Sequence, residues 1–260
     1  MMSTTASYLS KHKRFWEIDL VRTVALLGLL FFHTHEVLYY FNLIPDPLRT
    51  GVWSWIRLVN CGLFIFPAGV AITISYSRRK GISSFMLRGL KLFGLGMVIT
   101  LLSWLVVPEE YVRFGILHFF GIAFILAPFF FKFRFTNLIL GAVVLAVGFY
   151  LSEQGIFVDS PWLLWLMPYG FNTLDYWPLV PCFGVFLVGM FFGKILYPEG
   201  NRRFSIPEFT SPVASAVMLL GRHPLLVYIV HLPILIGIMF AIYPDKILTQ
   251  FREVISYLPF

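Results

Sequence analysis

Long apolar stretches alternate with short polar connections along the whole chain, and the stretches fall near residues 18–41, 52–76, 85–107, 114–131, 137–151, 178–196 and 213–243. A helix needs about 20 consecutive apolar residues to cross the hydrocarbon core of a bilayer, and most of these stretches reach that length. No ten-residue run alternates apolar with polar positions as a membrane-spanning strand would. Lipid offers no partners to backbone groups, so spanning segments without strand character must be helices. The pattern predicts an all-α, polytopic transmembrane helical bundle of about seven spans. The fifth stretch is short for a span. The last is long and carries Pro224 and Pro233, which predict a short helix followed by a span.

Composition agrees with this reading and excludes others. Hydrophobic residues make up 58% of the 260 and charged residues 13%, against roughly 25% charged in soluble domains. Little length is left for a separate soluble domain. The expected division is a cytoplasmic tail at 1–17, a transmembrane domain at 18–243 and an outer tail at 244–260. Lys11, Lys13 and Arg14 precede the first stretch as they would in a signal peptide. That stretch, however, is long, contains His33, His35 and Glu36, and has no small-residue cleavage site, so it reads as a retained first span. Cys61 and Cys182 sit inside apolar stretches without metal-ligand spacing and read as plain thiols. No metal is expected.

The formal net charge of +7 acquires its meaning from distribution. Seven spans with a cytoplasmic N-terminus place 15 of the 20 Lys and Arg residues on the inner side, the clusters being Lys11 to Arg14, Arg78 to Lys80, Arg88 with Lys91, Lys132 with Arg134, and Arg202 with Arg203. Arg49, Arg57, Arg113, Lys246 and Arg252 are left outside, together with 9 of the 13 acids. This is the positive-inside asymmetry. It predicts a cytoplasmic N-terminus and an outer C-terminus, and it assigns the charge to an anionic membrane surface rather than to nucleic acid. The expected location is a multi-pass integral position in a prokaryotic cell membrane. The long connection 152–177 lies outside and holds Trp162, Trp165, Tyr169, Tyr176 and Trp177, as either an interfacial aromatic belt or a lid stacking on a sugar.

Ionisable groups inside spans cost about 2.5–3.5 kcal/mol at the bilayer centre, so each needs a reason. At 100° per residue, His33, Glu36 and Tyr40 lie within about 40° of Arg22, with Asp19 nearby. A polar stripe thus follows one face of the first span, and His35 points elsewhere. Glu36 is a surface neighbour of His33 at i+3, suited to orient its ring. Arg57 and Asn60 are likewise three apart in the second span, followed by Gly62, Pro67 and Gly69. Arg113 and His118 open the fourth span, and His231 precedes Pro233 in the last. His231 suits either helix-to-helix hydrogen bonding or the lining of a site. Arg88, Lys91, Arg22, Lys194, Arg222 and His223 gather at inner helix ends, as topology signals or as a basic mouth for a phosphorylated ligand. Walker A, G-x-G-x-x-G, H-E-x-x-H and G-x-S-x-G patterns are absent, which disfavours nucleotide hydrolysis, redox cofactors, zinc proteolysis and the usual hydrolase triad.

Several segments in order resemble the family of heparan-α-glucosaminide N-acetyltransferase catalytic domains, within the transmembrane acyltransferases. They are Glu17 to Arg22 followed by His33, Leu63 to Ile72, Arg88 to Phe93, Arg113 to Gly121, Asp175 to Leu179 and Leu220 to His231. The Asp19/Arg22/His33 spacing and the last segment are the specific parts, and Thr23 stands where a glycine is common. The resemblance implies transfer of an acetyl group from cytosolic acetyl-CoA to an acceptor across the membrane, with the family's active histidine falling on His33.

On that basis His33 is expected as general base on an amine or hydroxyl, oriented by Glu36, with Arg57 and Asn60 or backbone N–H groups near Pro67 stabilising the oxyanion. An acetyl-histidine intermediate is equally compatible. Arg22, Arg88, Lys91, Arg222 and His231 are expected on the donor, and Arg113, His118, Trp162 and Asp175 on the acceptor. Expected partners are acyl-CoA, a carbohydrate or glycolipid acceptor and the bilayer, with a homodimer left open. The alternatives are a proton-coupled transporter, for which the two related halves common in transporters are missing, and a non-catalytic protein binding acyl-CoA or lipid.

Overall fold

The computed structural model describes residues 14–45, 48, 50–79, 81–157, 160, 163–166, 173–208, 211–246 and 248–249. Its main helices are α1 (Trp16–Tyr40), α2 (Val52–Arg78), α3 (Ile82–Val106), α4 (Ile116–Phe130), α5 (Phe135–Glu153), α6 (Leu179–Leu196), α7 (Pro212–Arg222) and α8 (Pro224–Ile242), with a 3-10 turn at Pro198–Gly200. Among the described residues the only β-type pairing is an isolated bridge between Phe114 and Tyr176. The protein is all-helical and membrane-embedded: six helices, α1, α2, α3, α5, α6 and α8, are long and apolar enough to cross a bilayer. The short helix is the fourth stretch and not the fifth: α5 runs to 19 residues, whereas the 15 residues of α4 extend only about 22 Å at 1.5 Å per residue, short of a core about 30 Å thick. The apolar stretch at 213–243 divides as its prolines predict. α7 ends at Arg222 and α8 begins with Pro224 at its first position, where a missing N–H leaves no helical bond unmade.

The chain forms two compact units, one from Met1–Phe64 with Ile206–Phe260 and one from Ile65–Ser205. In the first, α1 packs against α7 and α8. The buried hydroxyl of Thr23 ties α1 to α7. It donates to the carbonyl oxygens of Asp19 at 2.9 Å and Val217 at 3.2 Å, and accepts from the backbone N–H of Gly221 at 3.1 Å. Gly221 brings the backbone of α7 directly onto α1, where a methyl group would overlap the Asp19 carbonyl. Interhelical hydrogen bonds of this kind contribute about 0.6–2 kcal/mol each in a bilayer. Phe41 and Met239 form a small buried cluster with Val37 and Leu38 packed against it.

In the second unit α3 packs on α4, α5 on α6, and α4 on α6, around a core that includes Phe85, Phe119, Phe186, Leu187 and Met190. Aromatic side chains supply volume and glycines supply proximity. A Cβ on Gly184 of α6 would stand 2.7 Å from the carbonyl oxygen of Gly141 on α5, and one on Gly141 would stand 2.9 Å from that of Gly184. Small residues let helix backbones touch where lipid provides no hydrophobic force between helices. Thr73 repeats the role of Thr23, its hydroxyl reaching the carbonyls of Gly69 at 3.0 Å and Met190 at 3.4 Å. Large apolar side chains such as Leu90, Leu101, Leu102, Ile139 and Val143 remain exposed, as a lipid-facing surface requires.

Gly184→Val should lower stability in micelles by about 1–3 kcal/mol, because the overpacked α5–α6 contact must separate. Gly94→Ala, at a position where an added Cβ meets nothing within 4 Å, should leave unfolding near that of the parent. Thermal or denaturant unfolding of the two variants makes the comparison.

Candidate functional site

In the first unit the polar stripe of α1 meets specific partners. His33, half-buried, has its Nδ1 2.8 Å from Nε2 of His231 on α8, with the ring centres 4.8 Å apart. His231 is itself buried, and its Nδ1 lies 2.6 Å from the carbonyl oxygen of Tyr228, one turn earlier in α8. No hydrogen bond within this unit engages Nε2 of His33 among the described residues. The chain breaks at His223 between α7 and α8. Starting α8 at Pro224 sets the helix phase that turns His231 toward α1.

One turn along α1 from His33, the carboxylate of Glu36 accepts from Nη2 of Arg57 on α2 at 2.5 Å. Arg57 also donates from Nε to the Leu48 carbonyl at 3.1 Å, and its guanidinium lies 4.6 Å from the centre of the Phe32 ring. Carboxylate, carbonyl and ring hold the cation in one orientation. Such a charge-assisted pair is stronger where water is scarce. Asn60, one turn further along α2, rests its side chain on α1 at Gly28, where a methyl group would overlap it. His33, Glu36, Arg57, Asn60 and His231 therefore belong to one unit. Within it His33 bonds to His231 and Glu36 bonds to Arg57.

Toward the start of α1, Asp19 is flanked by Arg22 at 3.8 Å and Arg222 at 3.9 Å. These two of the expected donor-binding cations thus stand together. His35 turns away from His33, its Nδ1 3.1 Å from the Phe31 carbonyl and its ring 4.5 Å from that of Phe31.

The remaining expected residues lie in the second unit. Arg88 and Lys91 are exposed on α3. Arg113 lies with its guanidinium 5.0 Å from the Tyr111 ring centre. His118 is buried: its Nδ1 accepts from the Gly115 N–H at 3.1 Å, and its Nε2 lies 3.3 Å from the Thr100 hydroxyl. That hydroxyl donates to the Val112 carbonyl at 2.7 Å. Asp175 accepts from the Ile116 N–H at 2.9 Å and from the indole N–H of Trp177. Both residues thus satisfy donors at the first turn of α4, where backbone N–H groups have no helical partner. Trp162 lies outside the described residues. Sequence reasoning missed the His33–His231 contact and the Thr23–Gly221 bridge. Position 23, departing from the commoner glycine, was the available signal for the second.

The family profile described as "Heparan-alpha-glucosaminide N-acetyltransferase, catalytic" matches residues 14–233, and so includes every residue named above as a candidate. No curated protein and no solved structure matches the chain.

Glu36→Gln and Arg57→Gln, made singly and together, should show a coupling of about 0.5–3 kcal/mol in unfolding measurements. Additive effects would mean that the pair does not act as a unit. Asp175→Ala should cost about 0.5–2 kcal/mol through loss of the α4 cap. Asp175→Asn, which keeps an acceptor oxygen, should recover part of that loss in the same thermal unfolding assay.

Proposed function

Because the chain belongs to the family of heparan-alpha-glucosaminide N-acetyltransferase catalytic domains, we propose that it moves an acetyl group from cytoplasmic acetyl-CoA to an amine or hydroxyl of a sugar or glycolipid at the outer face. The observation that carries this reading is His33, bonded through Nδ1 to His231 at 2.8 Å and placed one turn from the Glu36–Arg57 pair. An imidazole held on one edge, with the other edge open, suits proton transfer. Positioned general bases of this kind contribute about 10²- to 10⁴-fold to rate.

In this proposal His33 takes the proton of the attacking amine or hydroxyl through Nε2. Arg57 and the Asn60 amide, donors in the same unit, are assigned to a developing oxyanion. Arg57 is already held by Glu36, Leu48 and Phe32, so little reorganisation is needed as charge forms. Arg22 and Arg222 are assigned to the phosphates of the donor, since guanidinium groups pair with phosphate oxygens bidentately. The basic residues concentrated on one set of connections support a cytoplasmic N-terminus and hence donor binding from the cytoplasm.

In oriented vesicles, labelled acetyl-CoA supplied to the cytoplasmic face should acetylate an impermeant outer amine or sugar, with CoA retained on the donor side. Carrying CoA phosphates through hydrocarbon would cost far more than passing a neutral acetyl group. His33→Ala should reduce transfer by about 10²- to 10⁴-fold, whereas His35→Ala should leave it within about twofold of the parent, as surface changes usually do. Acetyl-CoA at a hundredfold excess over its dissociation constant should stabilise the protein by about 2.7 kcal/mol, an effect that Arg222→Ala should weaken. Arg88→Ala and Lys91→Ala test separately whether cations of the second unit contribute. Label crossing without thioester cleavage would replace the enzyme reading with transport.

A further inference from the structure

His231 and His33 come from helices 198 positions apart in the chain, and the hydrogen bonds around them determine which ring nitrogen carries each proton. The carbonyl oxygen of Tyr228 only accepts, so the His231 nitrogen 2.6 Å from it, Nδ1, is the one that bears hydrogen. A neutral imidazole carries a single N–H, and burial of His231 in a helix of the bilayer disfavours a second proton. Its Nε2 is therefore an acceptor. The nitrogen facing that acceptor at 2.8 Å, Nδ1 of His33, must donate. His33 is left with a lone pair on Nε2, the nitrogen that no hydrogen bond within the unit engages among the described residues.

From this chain of bonds we infer that His231 is a positioning residue that fixes His33 in the tautomer whose Nε2 is bare and whose Nδ1 carries hydrogen. The inference rests on the reading of His33 as the base and adds what sets its reactive atom. The partner on one imidazole nitrogen decides which tautomer is present. Tyr228 fixes His231, and His231 in turn fixes His33.

The consequence for the reaction follows atom by atom. The acceptor's nitrogen or oxygen lone pair forms a bond to the thioester carbonyl carbon while its proton passes to Nε2 of His33. The resulting imidazolium keeps its Nδ1–H bonded to Nε2 of His231, which spreads the charge over two rings. When the carbon–sulfur bond breaks, the electron pair leaves with sulfur. The proton on Nε2 then goes to that sulfur, which restores the starting tautomers. In the opposite tautomer Nε2 would bear hydrogen from the outset, with nothing to accept the acceptor's proton.

The test uses the full-length protein in lipid nanodiscs with histidine labelled with ¹⁵N, and compares the parent with His231→Gln and His231→Ala. The glutamine side-chain oxygen lies at the same bond separation from the backbone as Nε2 and accepts without donating. Spectra of the parent should show His33 protonated at Nδ1 and bare at Nε2, His231→Gln should keep that signature, and His231→Ala should lose it. In turnover, His231→Ala should lower kcat by about 10- to 100-fold, the scale found when the partner fixing a histidine is removed. The KM for acetyl-CoA should hold, and His231→Gln should restore kcat to within about fivefold, the scale of one net hydrogen bond. A parent His33 protonated at Nε2 would overturn the inference, and so would a folded His231→Gln as slow as His231→Ala. If His231→Ala does not fold, His231→Gln decides alone, with retained signature and turnover in favour and their loss against. If the parent transfers no acetyl group, the function reading fails, and the spectra still decide the tautomer.

Discussion

A hydrocarbon interior offers polar groups no partners, and in this protein several polar side chains within the spans carry the mark of that constraint. Thr23 and Thr73 are buried, and each bonds to a carbonyl of its own helix and to a carbonyl on a neighbouring helix. His231 finds Tyr228 on its own helix and His33 on α1. Glu36 finds Arg57. In water these groups would have solvent as an alternative, and their pairings would contribute little. In lipid the alternative is an unsatisfied group costing several kcal/mol, so the pairings specify which helices meet and at what height.

The close approach that such pairings need is supplied by glycine. Gly221 places α7 against α1 at the level of Asp19 and Thr23, and Gly141 with Gly184 does the same for α5 and α6. The phenylalanines Phe85, Phe119 and Phe186, all fully buried, then fill the volume of the second unit. In the first unit the placement bears on the paired histidines. The bridge through Thr23 anchors the end of α7, the chain turns at His223, and α8 restarts at Pro224. His231 lies seven residues on, close to two helical turns, facing the stripe of α1. Packing near Asp19 thus contributes to the alignment of an imidazole well along the same helix.

The candidate residues are distributed over both units. The first holds the paired histidines and the Glu36–Arg57 pair, in a helix face that is polar from Arg22 to Tyr40. In the second, His118 and Asp175 both bond to backbone N–H groups at the start of α4. The connection that carries Asp175 is sewn to the one before α4 by further bonds, Leu174 to Glu110 at 2.8 Å and Trp177 to Phe114 at 2.9 Å. Over 173–177 the chain is thus held by backbone bonds as well as by its aromatic residues.

The helices, the membrane as solvent, the break before Pro224 and the polar face of α1 were all legible in the sequence. Each depends on local properties: apolar length, the missing N–H of proline and the 100° step of a helix. Partners were not legible, because a periodic pattern specifies which face a residue occupies and not what stands opposite. Glu36 lies three residues from His33 and so looked like its orienting group. Tertiary packing adds Arg57 to Glu36 and His231 to His33. For His118 too the pattern specified a face and not the partners Gly115 and Thr100 on its two nitrogens. Composition and spacing determined that this chain crosses a membrane with an imidazole inside it. Only the crossing and register of helices, set by glycine contacts between residues distant in sequence, decided which nitrogen of that imidazole is held and which is left open.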